Sequence, residues 1–337
     1  MDIRQARIEA KERYQGFCKV CNTCDGRSCA GQVPGMGGIG SGSAFNINVQ
    51  KLAQIRLNMR TIHQAQNPQL STQLLGRQLS TPIIAAPITG ISYNCGGAIT
   101  EEAFAKFWVQ GCAQAGTLGM TGDGADPSMY AAGLAGIKEY GGIPFIKPRS
   151  QTEILTRIKQ AEEAGAAAVG IDIDGAGLVT MALKGQPVGP KTKEELQELV
   201  QSTSLPFILK GIMTVDEAQL AVEIGAQAIV VSNHGGRVLD YTPATCEVLP
   251  AICDAVQRKL QILVDGGIRS GTDVLKMLAL GADAVLVGRP FITATIGNEA
   301  QGLASAIDQM SKELLQAMIL TGTSSVQEVQ RHILYNY

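Results

Sequence analysis

The chain has 337 residues, a formal net charge of −2, 45% apolar residues and 17% charged ones. That length supports a large core, and near-neutrality excludes an electrostatic footprint for nucleic acid or an anionic membrane. The 39 glycines against 7 Phe, 7 Tyr and 1 Trp suit a fold of many tight turns and argue against a Tyr-rich binding surface.

Residues 1–80 read as an N-terminal extension with little periodicity, apart from a short polar helix near 3–14 and a second near 48–57. Its opening Met-Asp-Ile-Arg-Gln-Ala-Arg lacks the basic-then-apolar pattern of a secretory signal, so a reducing, cytoplasmic location is expected. Two stretches, 28–50 and 78–100, contain no charge, but glycines and Pro34 interrupt the first, and Pro82 and Pro87 the second. Neither is an apolar membrane span.

Within the extension, Cys18, Cys21, Cys24 and Cys29 follow a C-x2-C-x2-C-x4-C pattern. Four thiols so close in sequence can ligate zinc or an iron–sulfur cluster, form a redox pair, or stay inert beside a glycine-rich segment. Cys95, Cys112, Cys246 and Cys253 are scattered and read as small buried residues. Gly35, Gly37 and Gly40 formally match G-x-G-x-x-G. No strand precedes them, no amphipathic helix follows, and no acidic residue lies about 20 positions on, so a nicotinamide site is rejected.

From residue 82 the pattern changes. Eight short apolar runs (82–88, 116–120, 143–147, 167–173, 206–210, 227–232, 262–265 and 284–288) alternate with helical stretches. In 151–165, Ile154, Leu155, Ile158 and Ala161 share a face and Gly165 sits at the C-cap; the helices near 215–224 and 274–280 end similarly at Gly225 and Gly281. Helices near 297–319 and 325–332 would close the chain. Continuous apolar strands, each followed by a helix, describe a parallel sheet covered on its outer face. The count predicts an α/β fold, a (β/α)8 TIM barrel over 81–337, with no second domain.

In such barrels, functional residues stand at the C-terminal ends of strands. Those positions here carry Thr121, Asp123, Lys147, Asp172, Asp174, Lys210, Ser232, Asn233, His234, Arg237, Asp265, Arg269 and Arg289. Asp265-Gly-Gly-Ile-Arg-Ser-Gly271, with Gly288-Arg-Pro290, has the glycines and guanidinium groups of a phosphate site after the seventh and eighth strands. The bland alternative is ordinary glycine-containing turns. Ser232-Asn-His-Gly-Gly-Arg237 places a histidine, a proton acceptor near neutral pH, three residues before an arginine that can fork onto a carboxylate. His63 and His332 lie away from strand ends and read as structural.

The runs Ser-Asn-His-Gly-Gly-Arg-Val-Leu-Asp-Tyr-Thr-Pro-Ala-Thr (232–245), Asp-Gly-Gly-Ile-Arg-Ser-Gly-Thr-Asp (265–273) and Gly-Arg-Pro (288–290) closely resemble the FMN-dependent α-hydroxy acid oxidases and dehydrogenases, which include glycolate and lactate oxidases. The match is strong from about 200 to 332, weaker over 82–175 and poor before 60. The Asp-Gly-Gly-Ile-Arg run alone is shared in part with barrels of the IMP dehydrogenase type.

The resemblance implies FMN at the barrel mouth. Pro87, Ile88 and Thr89 would line the flavin, and Lys210 would face its N1–O2 edge. Asp172 and Ser232 would belong to the cofactor site, and Asp265 would hold the ribityl chain. Gly267, Arg269, Gly288 and Arg289 would take the phosphate. His234 would accept the substrate hydroxyl proton, Asp174 would orient its imidazole, and Arg237 would hold the substrate carboxylate. The implied activity is oxidation of a small L-2-hydroxy acid, lactate being the simplest, by a homo-oligomer, a tetramer by resemblance.

Three departures stand against that pattern. The third run has no Tyr or Gln, the loop after the fourth (174–181) has no Arg, and Pro34–Gly42 has no Tyr. Half of the expected carboxylate clamp is thus missing, and Lys147 is the candidate substitute for substrate binding. An FMN enzyme of another class (isomerase or reductase) and a flavin/thiol redox sensor are the alternatives.

Overall fold

The computed structural model describes residues 3–336. A two-stranded hairpin, β1 (Thr72–Leu74) and β2 (Arg77–Leu79), precedes eight parallel strands. These are β3 (Ile83–Ile88), β4 (Gly119–Thr121), β5 (Ile143–Ile146), β6 (Val169–Asp172), β7 (Phe207–Ile212), β8 (Ala228–Val231), β9 (Gln261–Val264) and β10 (Ala284–Val287). β10 pairs with β3 and closes the barrel, so all eight apolar runs are strands of one (β/α)8 fold.

Alternation along each strand sorts the core into two layers. Ile84, Ala86, Met120, Phe145, Ile208, Val230, Leu263 and Leu286 fill the barrel interior. Their neighbours Ile83, Ala85, Ile146, Leu209, Ile229, Val231 and Val264 point outward against the helices. Leu74 and Leu79 of the hairpin join the inner layer, closing the end opposite the strand C-termini. Gln261 on β9 fixes the hairpin, accepting from Leu75 N at 2.7 Å and donating to Gln73 O at 3.0 Å. This hairpin lies inside the region read as aperiodic, because its strands are only three residues long.

Five outer helices start on side-chain caps: Thr100, Asp126, Ser150, Thr192 and Ser270 each accept a backbone N–H of the first turn. The final helix runs from Arg289 to Thr321 with a break at Asn298 and Glu299, longer than the expected 297–319. Helix Ile3–Arg13 lies along it so closely that a Cβ on Gly297 would stand 1.9 Å from Ala6 O.

Two expected helices differ. The one near 48–57 spans Ser43–Gln54, entering from the left-handed Gly42 (φ 72°) and ending where Ile55 turns extended. The stretch 325–332 forms two 3₁₀ turns, Val326–Glu328 and Arg331–Ile333, instead of a helix. Asn58 explains the second, since its side chain donates to the carbonyls of His332 and Leu334, both at 3.0 Å, and draws that backbone out of helical pairing. Among the described residues no helix is long and apolar enough to cross a membrane.

Candidate active site

The period of two that fills the barrel also builds its mouth. One step beyond the interior residues Ala86, Phe145, Gly170, Ile208, Val230, Leu263 and Leu286, the same strand face presents Ile88, Lys147, Asp172, Lys210, Ser232, Asp265 and Gly288. Sequence reasoning named all seven, and the strand register is what brings them together. Their side of the barrel opens into a cavity lined by Ile88, Lys147, Lys210, Asp265 and Gly288 and by Pro87, Thr89, His234, Arg237, Gly267, Arg269 and Arg289, with Asp172 and Ser232 just beneath it.

At the centre is a chain of buried charges. Lys147 Nζ donates to Asp172 Oδ2 at 2.6 Å, and Lys210 Nζ lies 2.9 Å from Asp172 Oδ1 and 3.7 Å from Asp174 Oδ2. The Asp172 contact is too oblique and the Asp174 contact too long for a directed hydrogen bond, so both act as ion pairs. Burial opposes ionisation of Asp172, but Lys147 and Lys210 outweigh it and hold the carboxyl well below its usual range. Burial likewise opposes charge on Lys210, while Asp172 and Asp174 keep it protonated far above its ordinary value. Asp172, Asp174 and His234 have ligand atoms close enough to hold a cation by distance alone. The two ammonium groups already balance these carboxylates, which leaves a metal without a charge to satisfy.

His234 stands in left-handed backbone (φ 56°) in the turn after β8, steadied by its own N–H donating to Ser232 Oγ at 3.0 Å. Its Nδ1 is 2.9 Å from Asp174 Oδ1. An ionised carboxylate only accepts, so Nδ1 carries the hydrogen, and the other ring nitrogen of the neutral imidazole is left as an acceptor. Burial lowers the His234 pKa below 6.5, more than Asp174 raises it, and Lys210 adds to the lowering. The ring is therefore neutral at pH 7 and ready to take a proton.

The glycine-rich run of the extension covers one wall of the mouth. Arg237 donates to the carbonyls of Gly35 and Gly37 and, at 2.9 Å, to Asn94 Oδ1. Arg289 donates to Met36 O at 2.8 Å, Gly37 O at 3.0 Å and Gly235 O at 3.1 Å, and lies over the Phe45 ring at 3.7 Å. Arg269 donates twice to Cys24 O, at 3.0 and 2.8 Å. The three guanidinium groups read as anion-binding are thus pre-oriented by extension carbonyls. Burial lowers the Arg289 pKa, and the like charges of Arg237 and Arg269 lower it further.

Several contributors carried no sequence signal. Asn48 bonds Asn233 Oδ1 at 2.8 Å and accepts from Thr245 N at 3.1 Å, joining the extension to the loop after β8. Tyr93 and Asn94 line the cavity from the loop after β3. Glu101 holds that loop by accepting from Thr89 Oγ1 at 2.6 Å and from the N–H groups of Gly90 and Ile91, both at 2.8 Å. These contacts join residues distant in sequence or lying in polar loops, where periodicity says nothing. Asp123, by contrast, is structural: it accepts from Lys147 N at 3.1 Å and from Arg149 Nε at 2.8 Å, and it is fully buried.

The cavity fits FMN on two independent counts. Asp265 Oδ2 accepts from Ser232 Oγ at 2.8 Å, while its Oδ1 is buried without a partner, as an acceptor awaiting a ligand hydroxyl would be. Burial pushes the Asp265 carboxyl up to about 6, against the pull of Lys210. Beside it three guanidinium groups converge, none of them bonded to a carboxylate among the described residues, and a Cβ on Gly288 would meet nothing closer than 3.8 Å. That open, cationic corner suits a phosphate.

Gly267 is a point of close backbone approach in this cradle. Its φ is +80°, and an added Cβ would lie 2.3 Å from Asn48 O. Gly267→Ala is expected to lower unfolding free energy by about 2–4 kcal/mol, from left-handed strain and overpacking together. Urea unfolding of the purified protein checks this, and an unchanged midpoint would refute it.

Comparison with known proteins agrees with this geometry. Residues 35–184 and 180–336 match the FMN-dependent dehydrogenase family. A peroxisomal (S)-2-hydroxyacid oxidase of Arabidopsis thaliana is 30% identical over 331 residues, covering 88% of this chain and 89% of its own. An L-lactate oxidase of Nostoc sp. is 32% identical over 343 residues, covering 88% and 92%. A crystal structure of mandelate oxidase with 3,3-difluoro-2-hydroxy-3-phenylpropionic acid superposes with a TM-score of 0.78 at 27% identity, covering 99% of this chain and 98% of that one. The chain belongs to the FMN-dependent α-hydroxy acid oxidase and dehydrogenase family, and it is an FMN-dependent oxidoreductase.

Proposed function

We propose that the protein oxidises a small L-2-hydroxy acid of the lactate type to the 2-oxo acid, with His234 as the base. The observation that carries this reading is the Asp174–His234 pair, whose neutral imidazole lines the cavity beside a buried cationic cluster. Bound FMN supplies the hydride acceptor for the substrate carbon. Pro87, Ile88 and Thr89 would pack along it, Lys210 would favour its anionic reduced form, and Asp172 would keep Lys210 in place. Ser232 and Asp265 would hold its polar chain, with Gly267, Arg269, Gly288 and Arg289 at its phosphate.

His234 takes the hydroxyl proton on the ring nitrogen that Asp174 does not hold. As the imidazole becomes positive, Asp174 at 2.9 Å stabilises the charge that forms. Arg237, already fixed by Gly35, Gly37 and Asn94, presents a planar cation to the substrate carboxylate. Lys147 adds positive potential from the cavity wall while paired to Asp172, in place of the clamp residues that the loop 174–181 lacks. Residues 1–80 would act as part of the same catalytic unit, because their carbonyls set the arginines.

Anaerobic titration of the FMN-loaded protein with a panel of 2-hydroxy acids tests the reading. Bleaching of the flavin bands by lactate or a similarly small acid is the expected result. A flavin that no 2-hydroxy acid bleaches would overturn it and leave an isomerase or reductase.

A further inference from the structure

Cys18, Cys21, Cys24 and Cys29 have no part in the chemistry above, yet the fold gathers all four around one cavity of about 310 Å³. None is in a disulfide, and each is half-buried rather than sealed in the core. The segment carrying them is not helical apart from the 3₁₀ turn Arg27–Cys29, and it bends through left-handed backbone at Val20 (φ 47°) and Gly26 (φ 85°). Such a loop can wrap thiols around a guest, whereas a regular helix or strand would splay them apart.

Size and charge both bear on the guest. A single tetrahedral zinc draws four sulfurs to within about 3.8 Å of one another, given Zn–S distances near 2.3 Å. Among the described residues, the only three ligand groups within 4.8 Å of one another are Asp172, Asp174 and His234, so the thiols stand too far apart for a preformed mononuclear site. Thiolates on separate corners of an iron–sulfur cluster stand farther apart, and C-x2-C-x2-C is a spacing that reaches three corners, with a fourth thiol supplied from elsewhere. A four-iron cluster with four thiolates is an anion. The cavity wall offers Arg7, Lys19, Arg269 and Arg289 against Asp25 alone. Arg7 donates to Cys21 O at 2.8 Å, and Arg269 reaches both the carbonyl and, at 3.8 Å, the sulfur of Cys24.

We propose that Cys18, Cys21, Cys24 and Cys29 bind a four-iron, four-sulfide cluster directly behind the arginines of the flavin cavity. Met36, Arg269 and Arg289 line both cavities, so they form the shared wall between the two redox groups. The cluster's role rests on the 2-hydroxy acid reading. One substrate molecule becoming a 2-oxo acid releases two electrons and two protons. The protons pass to solvent, and the electrons leave singly through the cluster to two molecules of a one-electron carrier protein. The chain thereby falls on the dehydrogenase side of its family, with oxygen an unneeded acceptor.

The test is anaerobic purification of the full chain, with iron, acid-labile sulfide and FMN measured per chain. About four irons and four sulfides with a broad brown absorbance are expected. Cys21→Ser and Cys24→Ser should each lose iron and sulfide, while Cys253→Ser, on the far helix Thr245–Val256, should keep both. FMN content and thermal melting report whether each variant has folded. Cluster loss in a variant that keeps its flavin and its melting temperature supports the site. Stoichiometric zinc without sulfide, or iron that persists in Cys24→Ser, overturns it.

Electron paramagnetic resonance then tests the role. A reduced-cluster signal should appear when lactate is added anaerobically to wild type and grow in about 10²- to 10⁴-fold more slowly in His234→Gln. A flavin bleached by lactate in a protein without iron or sulfide overturns the cluster and leaves the functional reading standing. A cluster present beside a flavin that no 2-hydroxy acid bleaches supports the site and overturns the role.

Discussion

Replacing His234 by Gln is expected to lower kcat/KM for the hydroxy acid about 10²- to 10⁴-fold, the contribution of a positioned general base. Gln keeps a polar side chain of similar reach but cannot take the proton. FMN should remain bound, because the phosphate arginines and Asp265 do not bond His234. The pH profile gives a sharper check. Burial depresses the imidazole pKa below 6.5, so the neutral form persists as the medium becomes mildly acidic. In wild type, the acid limb of kcat/KM should be centred below pH 6.5. Asp174 pulls the imidazole pKa up, so Asp174→Asn should move the acid limb lower still while slowing the reaction. A limb centred above 6.5 in wild type, or a His234→Gln enzyme of unchanged kcat/KM, would exclude His234 as the base.

Why the base was legible in the sequence while its surroundings were only partly so follows from how each is encoded. His234, Lys210 and Asp265 follow apolar runs whose continuity marks buried strands, and a period of two then dictates which of their neighbours face inward. Strand ends are therefore readable from the chain alone. The wall facing them is not. Gly35 and Gly37 act through carbonyls, Asn48 through an amide bridging to Asn233, and Glu101 through three hydrogen bonds to a loop ten to twelve residues earlier. None of these roles leaves a pattern in residue type. The run Gly31–Gly42 is instructive, because its composition was conspicuous while its use was hidden. Glycine there lets the main chain come close enough for Arg237 and Arg289 to reach three consecutive carbonyls, those of Gly35, Met36 and Gly37. The departures at the third strand and in the loop 174–181 fit the same view. Tyr93 lines the cavity from the loop after β3, a different strand end from the third strand, where the family resemblance implies a tyrosine.

Lys210→Met is the second substitution with a large expected effect, and it acts on stability and catalysis together. Lys210 is 3% exposed and neutralises Asp172 and Asp174 at once. Without it, Lys147 alone faces Asp172, and Asp174 keeps only His234. Breaking a buried pair by removing one partner costs about 3–5 kcal/mol, which urea unfolding at pH 7 will register. Catalysis should fall about 10²- to 10³-fold, as for loss of one preorganised charge at a reacting centre. The two effects separate through the histidine. Lys210 lowers the His234 pKa, so its removal lets the imidazole pKa rise, and the acid limb of kcat/KM should move to higher pH. That is opposite in sign to the shift from Asp174→Asn. A variant that merely unfolded in part would lose amplitude without moving the limb. Limbs that move the same way in the two variants would show that the Lys210–Asp174–His234 chain does not set the proton affinity of the base.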